Sequence, residues 1–279
     1  MNRSGMHKTR SLILRYVVLI VLGVIFAVPF LWMVSSSLKR GIDVFVFPPK
    51  WIPSPIMWSN YSELFKVLPF GRFFWNSSYV ALLSTFGQVA SCALAAYALS
   101  RPKFFGREAI FYILLATMMV PGQVTIIPRF LIMRSLGWLD THLPLYVPHF
   151  FGGAFGTFML RQFFLSLPRE LDDAAAIDGC GRLRTFLTIY LPLSKPALAT
   201  LSLFIFMDSW NDLLGPIIYL STPKKMTLTV GLTFFQGQYA TDWHLLMAGA
   251  VVSIIPTIIV YLLAQKHFVS GIMVGSVKG

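Results

Sequence analysis

The sequence predicts an all-α integral membrane protein with six transmembrane helices, and three observations carry that expectation. Of the 279 residues, 56% are hydrophobic and only 12% charged, with a mean hydropathy of +0.69, a balance foreign to soluble domains. Apolar runs of about 20 residues recur along the chain, the length an α-helix needs to cross a hydrocarbon core of roughly 30 Å. The basic residues, which give a formal charge of +12, sit between those runs. They form no stripe with interleaved stacking aromatics, so they read as topogenic charge and not as a nucleic-acid surface.

The first span, residues 12–34, follows a basic start of Arg3, Lys8, Arg10 and Arg15. It exceeds a signal-peptide core and lacks a clear small-residue cleavage site, so it is read as an uncleaved span. The loop that follows carries Phe47-Pro48-Pro49-Lys50-Trp51-Ile52-Pro53, too ordered in composition for a flexible linker, and is expected to pack as an outer cap. The remaining spans are residues 77–99, 109–131, 143–164, 197–220 and 245–264. All six are read as one transmembrane domain, 1–279, with a cytoplasmic loop at 165–195. With both ends inside, 14 of the 23 Lys and Arg residues fall on the inner side. Five of the outer nine lie in the long first outer loop, where the positive-inside bias weakens.

Pro29, Pro121, Pro216 and Pro256 lie in or near apolar segments, where proline bends a helix and releases carbonyls. Gly152 and Gly156 in the fourth span are expected to form a small-xxx-small face for packing within the subunit. The outer stretch 221–242 is either a partner contact or an ordinary loop. Cys92 and Cys180 are the only cysteines; one falls in a span and one in the inner loop, so both read as packing residues, with neither a disulfide nor a zinc spacing. No internal repeat supports the inverted-repeat secondary transporters.

The inner loop is the most informative segment. Pro168 suits a first helical position, and Glu170, Asp172 and Asp173 place negative charge on the positive end of the helix dipole. Leu167, Leu171, Ala174 and Ala175 recur at i, i+4, i+7 and i+8, giving one small-residue apolar face. Gly179 is expected to take the left-handed conformation that ends the helix, about three turns on. Helices that lie on lipid favour Lys, Arg and bulky apolar residues, whereas this one is acidic and Ala-rich. Protein docking fits it better.

The fifth span places Asp208, Asn211 and Asp212 near the middle of an apolar run. An ionised Asp at that depth costs about 2.5–3.5 kcal/mol on the insertion scale, so these groups should face protein or water. Asp208, Asn211, Asp212 and Gly215 share one face at helical spacing and should line a cavity. Structural hydrogen bonding, a proton relay and a sugar pathway all remain open. Carboxylates and amides match sugar hydroxyls, and Trp210 offers a flat face for a pyranose or packs against a neighbour. The chain has no GxxxxGK[ST] phosphate loop, no HExxH pair and no Ser with a plausibly paired His on facing spans. It reads as no enzyme; if ATP is used, another chain binds it.

The run Asp173-Ala174-Ala175, x3, Gly179, x9, Ile189-Tyr190-Leu191-Pro192 resembles the EAA loop of ABC importer permeases. Nearly the whole chain is similar to the second permease subunit of bacterial carbohydrate importers of the maltose type. The likeness includes Phe47-Pro48-Pro49-Lys50-Trp51, the run 69–77, Asp178-Gly179, Trp210-Asn211-Asp212 and the closing Gly275-Ser276-Val277-Lys278-Gly279. It implies a type I importer fold in a bacterial inner membrane with both termini cytoplasmic, translocating a sugar or small oligosaccharide. A second permease subunit would pair with this one, two ATPase subunits would hold ATP and Mg, an extracytoplasmic binding protein would deliver the sugar, and no cofactor or metal would bind this chain. The resemblance assigns Glu170, Leu171, Asp173, Ala174, Ala175, Asp178, Gly179 and Pro192 to ATPase coupling. It assigns Asp208, Trp210, Asn211 and Asp212 to the substrate path, and brings the tail ending at Gly279 towards the ATPase pair. Asp173 stands where the family usually has Glu, and Asp208 where it often has a small residue, which points to a cationic or amino sugar or to bound water. The alternative is a proton-coupled transporter using Asp208 and Asp212; a third reading is a regulatory or structural membrane subunit.

Overall fold

The computed structural model describes residues 3–237 and 240–276, with side chains between 12 and 265. Among them there is no strand, only an isolated antiparallel bridge between Gln236 and Thr241. The tail residues 277–279 lie outside the described residues. Two compact units divide the chain: Met1–Leu68 with Leu232–Ile254, and Pro69–Gly231 with Ile255–Gly279.

In the first unit, α1 (Arg3–Ser37) contains an apolar stretch, Leu12–Ser37, in which only the closing Ser35, Ser36 and Ser37 are buried within the chain. The loop after it folds back as a cap, with α2 at Ser59–Val67. The buried Asn60 amide donates to the carbonyls of Ser37 and Lys39, both at 2.8 Å, and the Met57 N–H to Leu38 at 2.9 Å. Lys39 lies 3.8 Å from the Trp32 ring centroid, a cation–π contact, and Trp51 meets the same ring edge-on at 5.1 Å. Burial pushes the Lys39 amine below its ordinary value, against a weaker opposing pull from Asp43.

The second unit is built around α3 (Phe70–Ser100), about 46 Å long at 1.5 Å per residue. After it come α4 (Arg107–Ala116), α5 (Ile126–Ser135), α6 (Leu143–Tyr146) and α7 (Ala154–Ser166). The inner loop supplies α8 (Glu170–Ile177), α9 (Arg182–Thr185) and α10 (Leu191–Leu193). Then follow α11 (Lys195–Trp210), α12 (Leu214–Tyr219), α13 (Leu228–Thr233) and α14 (Trp243–Ser276), the last beginning in the first unit and ending in the second. The core joins Cys92, Ala93, Ala96 and Tyr97 of α3 to Leu160 and Phe164 of α7 and to Leu201 and Ile205 of α11. Small residues permit this approach: a methyl on Gly156 would sit 2.8 Å from the Cys92 sulfur and 3.1 Å from Leu201.

Among the described residues three helices are long and apolar enough to cross a membrane, or up to five if each of two bent pairs is one span. The breaks correct the continuous spans expected from hydropathy. The third is bent by 93° between Arg107–Met119 and Gly122–Ser135, at Pro121, whose ring forces Val120 into extended backbone. The fourth is short helical pieces: Gly152, at φ 91, separates the turn over Val147–Phe151 from α7. Gly152 and Gly156 therefore do not share a helix face; only Gly156 mediates the close packing. A bend of 79° between Arg182–Leu193 and Lys195–Trp210 sets the fifth span off from the loop before it. That span stops at Trp210, short of residue 220, because Asn211 caps it and α12 starts anew.

The first part of the outer stretch is tied down within this unit. The Asp140 carboxylate accepts from the Thr222 hydroxyl at 2.7 Å, the Thr222 and Ser221 N–H groups at 2.9 and 3.0 Å and Lys225 at 2.9 Å. These bonds to Thr222, Ser221 and Lys225 hold its pKa far below the ordinary carboxylate range. Asn76 donates to the carbonyls of Lys224 and Met226 at 3.1 and 2.9 Å, fixing the same segment to α3.

Candidate functional site

Two features of the second unit carry chemistry: a cavity among the spans, mostly apolar in its lining but bearing carboxylate, amide and imidazole groups, and an exposed helix on the loop at 165–195. The cavity, of about 1170 Å³, is lined by Asp208, Asn211, Asp212 and Gly215, with Gln88, Gln123, Arg129, His149 and Tyr219. Its lining is made by the break in the fifth span. Asn211 ends α11, its amide donating to the Met207 carbonyl at 2.7 Å. The Asp212 carboxylate accepts from the Gly215 N–H at 3.0 Å at the start of α12, capping one of the donors that a helix start leaves unpaired. A methyl on Gly215 would crowd the other Asp212 oxygen and press on Leu145.

The four residues expected on one helical face thus meet at one cavity, but across a helix end. Trp210 does not join them. It is 3% exposed, stacked on Phe206 at 5.6 Å and edge-on to Phe74 at 5.7 Å, so its place is in the packing behind the cavity. A side chain two positions from Asp208 and Asp212 points to another sector of the turn. His149 bonds to Gln88 through its Nδ1 at 2.5 Å, and it lies within electrostatic reach of Asp208, Asp212 and Arg129. Gln88, Arg129 and His149 were not anticipated. They come from α3, α5 and the turn before Gly152, and only a polar residue inside an apolar run marks them in sequence.

On the inner loop, α8 ends in a Schellman arrangement. The Cys180 N–H donates to the Ala175 carbonyl at 2.8 Å and the Gly179 N–H to Ala176 at 3.1 Å, with Gly179 at φ 70. Only a residue tolerant of the left-handed region closes the helix this way. The helix begins at Glu170, two residues after Pro168, and runs slightly over two turns, shorter than expected. Glu170, Asp173, Ala174, Asp178 and Gly179 are exposed, Leu171 is half-buried, and Ala175 is buried. Ile177 is 86% exposed, an apolar side chain turned away from the rest of the chain. Pro192 is exposed in α10. It follows a widened turn at Phe186–Tyr190, because its ring excludes the usual bond to the Thr188 carbonyl. Asp172 points inward to Arg101, at 3.2 Å.

Among the described residues no group of three or more His, Cys, Asp and Glu could hold a metal ion. Residues 90–274 match the family model described as binding-protein-dependent transport system inner membrane component. The sulfoquinovosyl glycerol transport system permease protein SmoH of Agrobacterium fabrum is 34% identical over 267 residues, 95% of this chain and 94% of that protein. The trehalose/maltose transport system permease protein MalG of Thermococcus litoralis is 34% identical over 283 residues, 97% of this chain and 99% of that one. A solved bacterial ABC transporter involved in import of the acidic polysaccharide alginate superposes with a TM-score of 0.81 at 28% identity, covering 96% of this chain and 99% of its matched chain. The relatives are transport subunits, and the proton-coupled alternative finds no support among them. The chain belongs to the binding-protein-dependent transport system inner membrane components, as a membrane-spanning permease subunit of an ABC importer.

Proposed function

We propose that this subunit passes a sugar or small oligosaccharide through the cavity at Asp208, Asn211 and Asp212, driven by ATPase subunits that dock on α8. The observation that carries the proposal is the pairing, in one compact unit, of a cavity that brings carboxylate and amide groups together within apolar spans with an exposed acidic helix closed by Gly179. Intramembrane carboxylates mark an ion or a substrate route, and the relative named for trehalose and maltose transport favours sugar. Glu170, Leu171, Asp173, Ala174, Ala175, Asp178, Gly179 and Pro192 form or support the ATPase contact, with Asp173 reaching one methylene less far than Glu. Trp210 supports the cavity wall from behind.

A second permease subunit completes the pathway as a heterodimer. Two ATPase subunits hold ATP and Mg, and this chain needs no cofactor of its own. An extracytoplasmic binding protein delivers the sugar, and both termini lie in the cytoplasm of a bacterial cell, the whole chain serving as one transmembrane domain. The extra carboxylate of Asp208 suits a sugar with a cationic or amino group. The test is uptake into proteoliposomes holding the complete transporter, using radiolabelled glucosamine and maltose as probes. ATP-dependent accumulation of either supports the proposal; accumulation driven by a proton gradient without ATP would overturn it.

A further inference from the structure

The end of α3 and one face of α8 meet at a charged cluster in which the Arg101 side chain is buried and Asp172 is half-buried. Arg101 follows the last residue of α3, and its side chain is only 6% exposed. One of its terminal nitrogens lies 3.2 Å from one Asp172 oxygen. The other donates to the carbonyls of Leu167, at 2.7 Å, and Phe164, at the end of α7. The Tyr190 hydroxyl donates to the second Asp172 oxygen at 2.7 Å, and its fully buried ring lies 4.9 Å from the Arg101 guanidinium carbon. Both carboxylate oxygens are therefore held, by groups from two different elements.

The rest of α8 gives it little hold on the spans. Ala175 is the one buried residue of its eight, and so short a helix is not stable by itself. Directional polar contacts, more than buried apolar area, then set where α8 sits. An uncompensated buried charge is costly, so Arg101 keeps Asp172 in place once α7 has fixed its guanidinium. Gln88, on the cavity wall, lies 13 residues before Arg101, about 20 Å along α3.

We infer that Arg101 and Tyr190 are positioning residues that lock Asp172, so that α8 moves as one body with α3 and α7 and a shift of α8 reaches the cavity. This link rests on the docking of ATPase subunits at α8. Its test uses the assembled transporter with ATP and vanadate as the probe, in a background lacking Cys180, Cys92 being buried. Nucleotide trapping is measured beside thiol labelling of Met207→Cys, a position that lines the cavity, for the parent, Asp172→Asn, Asp172→Glu and Tyr190→Phe.

Trapping in the parent should change cavity labelling at least fivefold. Asp172→Asn and Tyr190→Phe should still trap nucleotide within twofold of the parent, while the labelling change falls below twofold; Asp172→Glu, which keeps the charge, should recover more than half of it. Labelling that responds normally in Asp172→Asn and Tyr190→Phe would overturn the link and leave ATPase docking standing. Trapping and response lost together in these variants would reduce the cluster to a fold-stabilising contact and also overturn it. A parent that traps no nucleotide would overturn the docking reading itself, and the link with it.

Discussion

Replacing Gly179 separates backbone strain from a lost contact, because its surroundings are empty. At φ 70 it occupies the left-handed region, and a methyl added there meets nothing within 4 Å. A non-glycine residue in that conformation costs about 1–2 kcal/mol, a five- to thirtyfold shift against the capped turn, and a β-branched one is worse. Gly181 is the internal control. It too has open space around it, but its φ of −69 is ordinary backbone, so Gly181→Ala should stay within about 0.5 kcal/mol. Co-purification of the ATPase subunits and binding-protein-stimulated hydrolysis are then measured for both. Gly179→Val should leave the chain inserted, since insertion follows apolar length and loop charge, yet lower stimulated hydrolysis at least fivefold. Gly179→Asn should fall between, since Asn visits the left-handed region. Gly179→Val that docks and hydrolyses like Gly181→Ala would refute the reasoning.

Three further outcomes follow from the geometry. Asp212→Ala removes the cap on the Gly215 N–H and a cavity carboxylate, so it should cut uptake at least fivefold while assembly, followed by co-purification of the sibling permease, stays within twofold. Gly156→Val forces side-chain atoms against Cys92 and Leu201 and should cost about 1–3 kcal/mol from overpacking, read as a lower thermal unfolding midpoint. For topology, Ser166→Cys should resist an impermeant thiol reagent in intact cells and Ser221→Cys should label; the reverse would invert the chain.

The apolar runs and the α8 turn were legible because each depends on local chemistry. A hydropathy window records apolar length, and Gly179 ends a short acidic helix by a rule confined to neighbouring residues. The breaks at Pro121, Gly152 and Asn211 were hidden by the same averaging, since a window does not register where backbone hydrogen bonds stop. Asp208, Asn211 and Asp212 reach one cavity although the regular helix that argued for it ends at Trp210. Trp210 itself went to the packing because Phe74, 136 positions away in the chain, supplies its neighbour. Asp172 and Asp173 look equivalent as charges on a helix start. They part only because Arg101, 71 residues earlier, waits on one side.

The most direct test of ATPase docking on α8 is a site-directed cross-link from Ile177→Cys, 86% exposed on that helix. In intact membranes lacking Cys180, a short thiol-to-amine reagent should join this position to the ATPase subunit, and ATP should change the yield. The account predicts that product from Ile177→Cys and none from Ser221→Cys. Absence of an ATPase adduct from Ile177→Cys, in a complex that still transports, would contradict it.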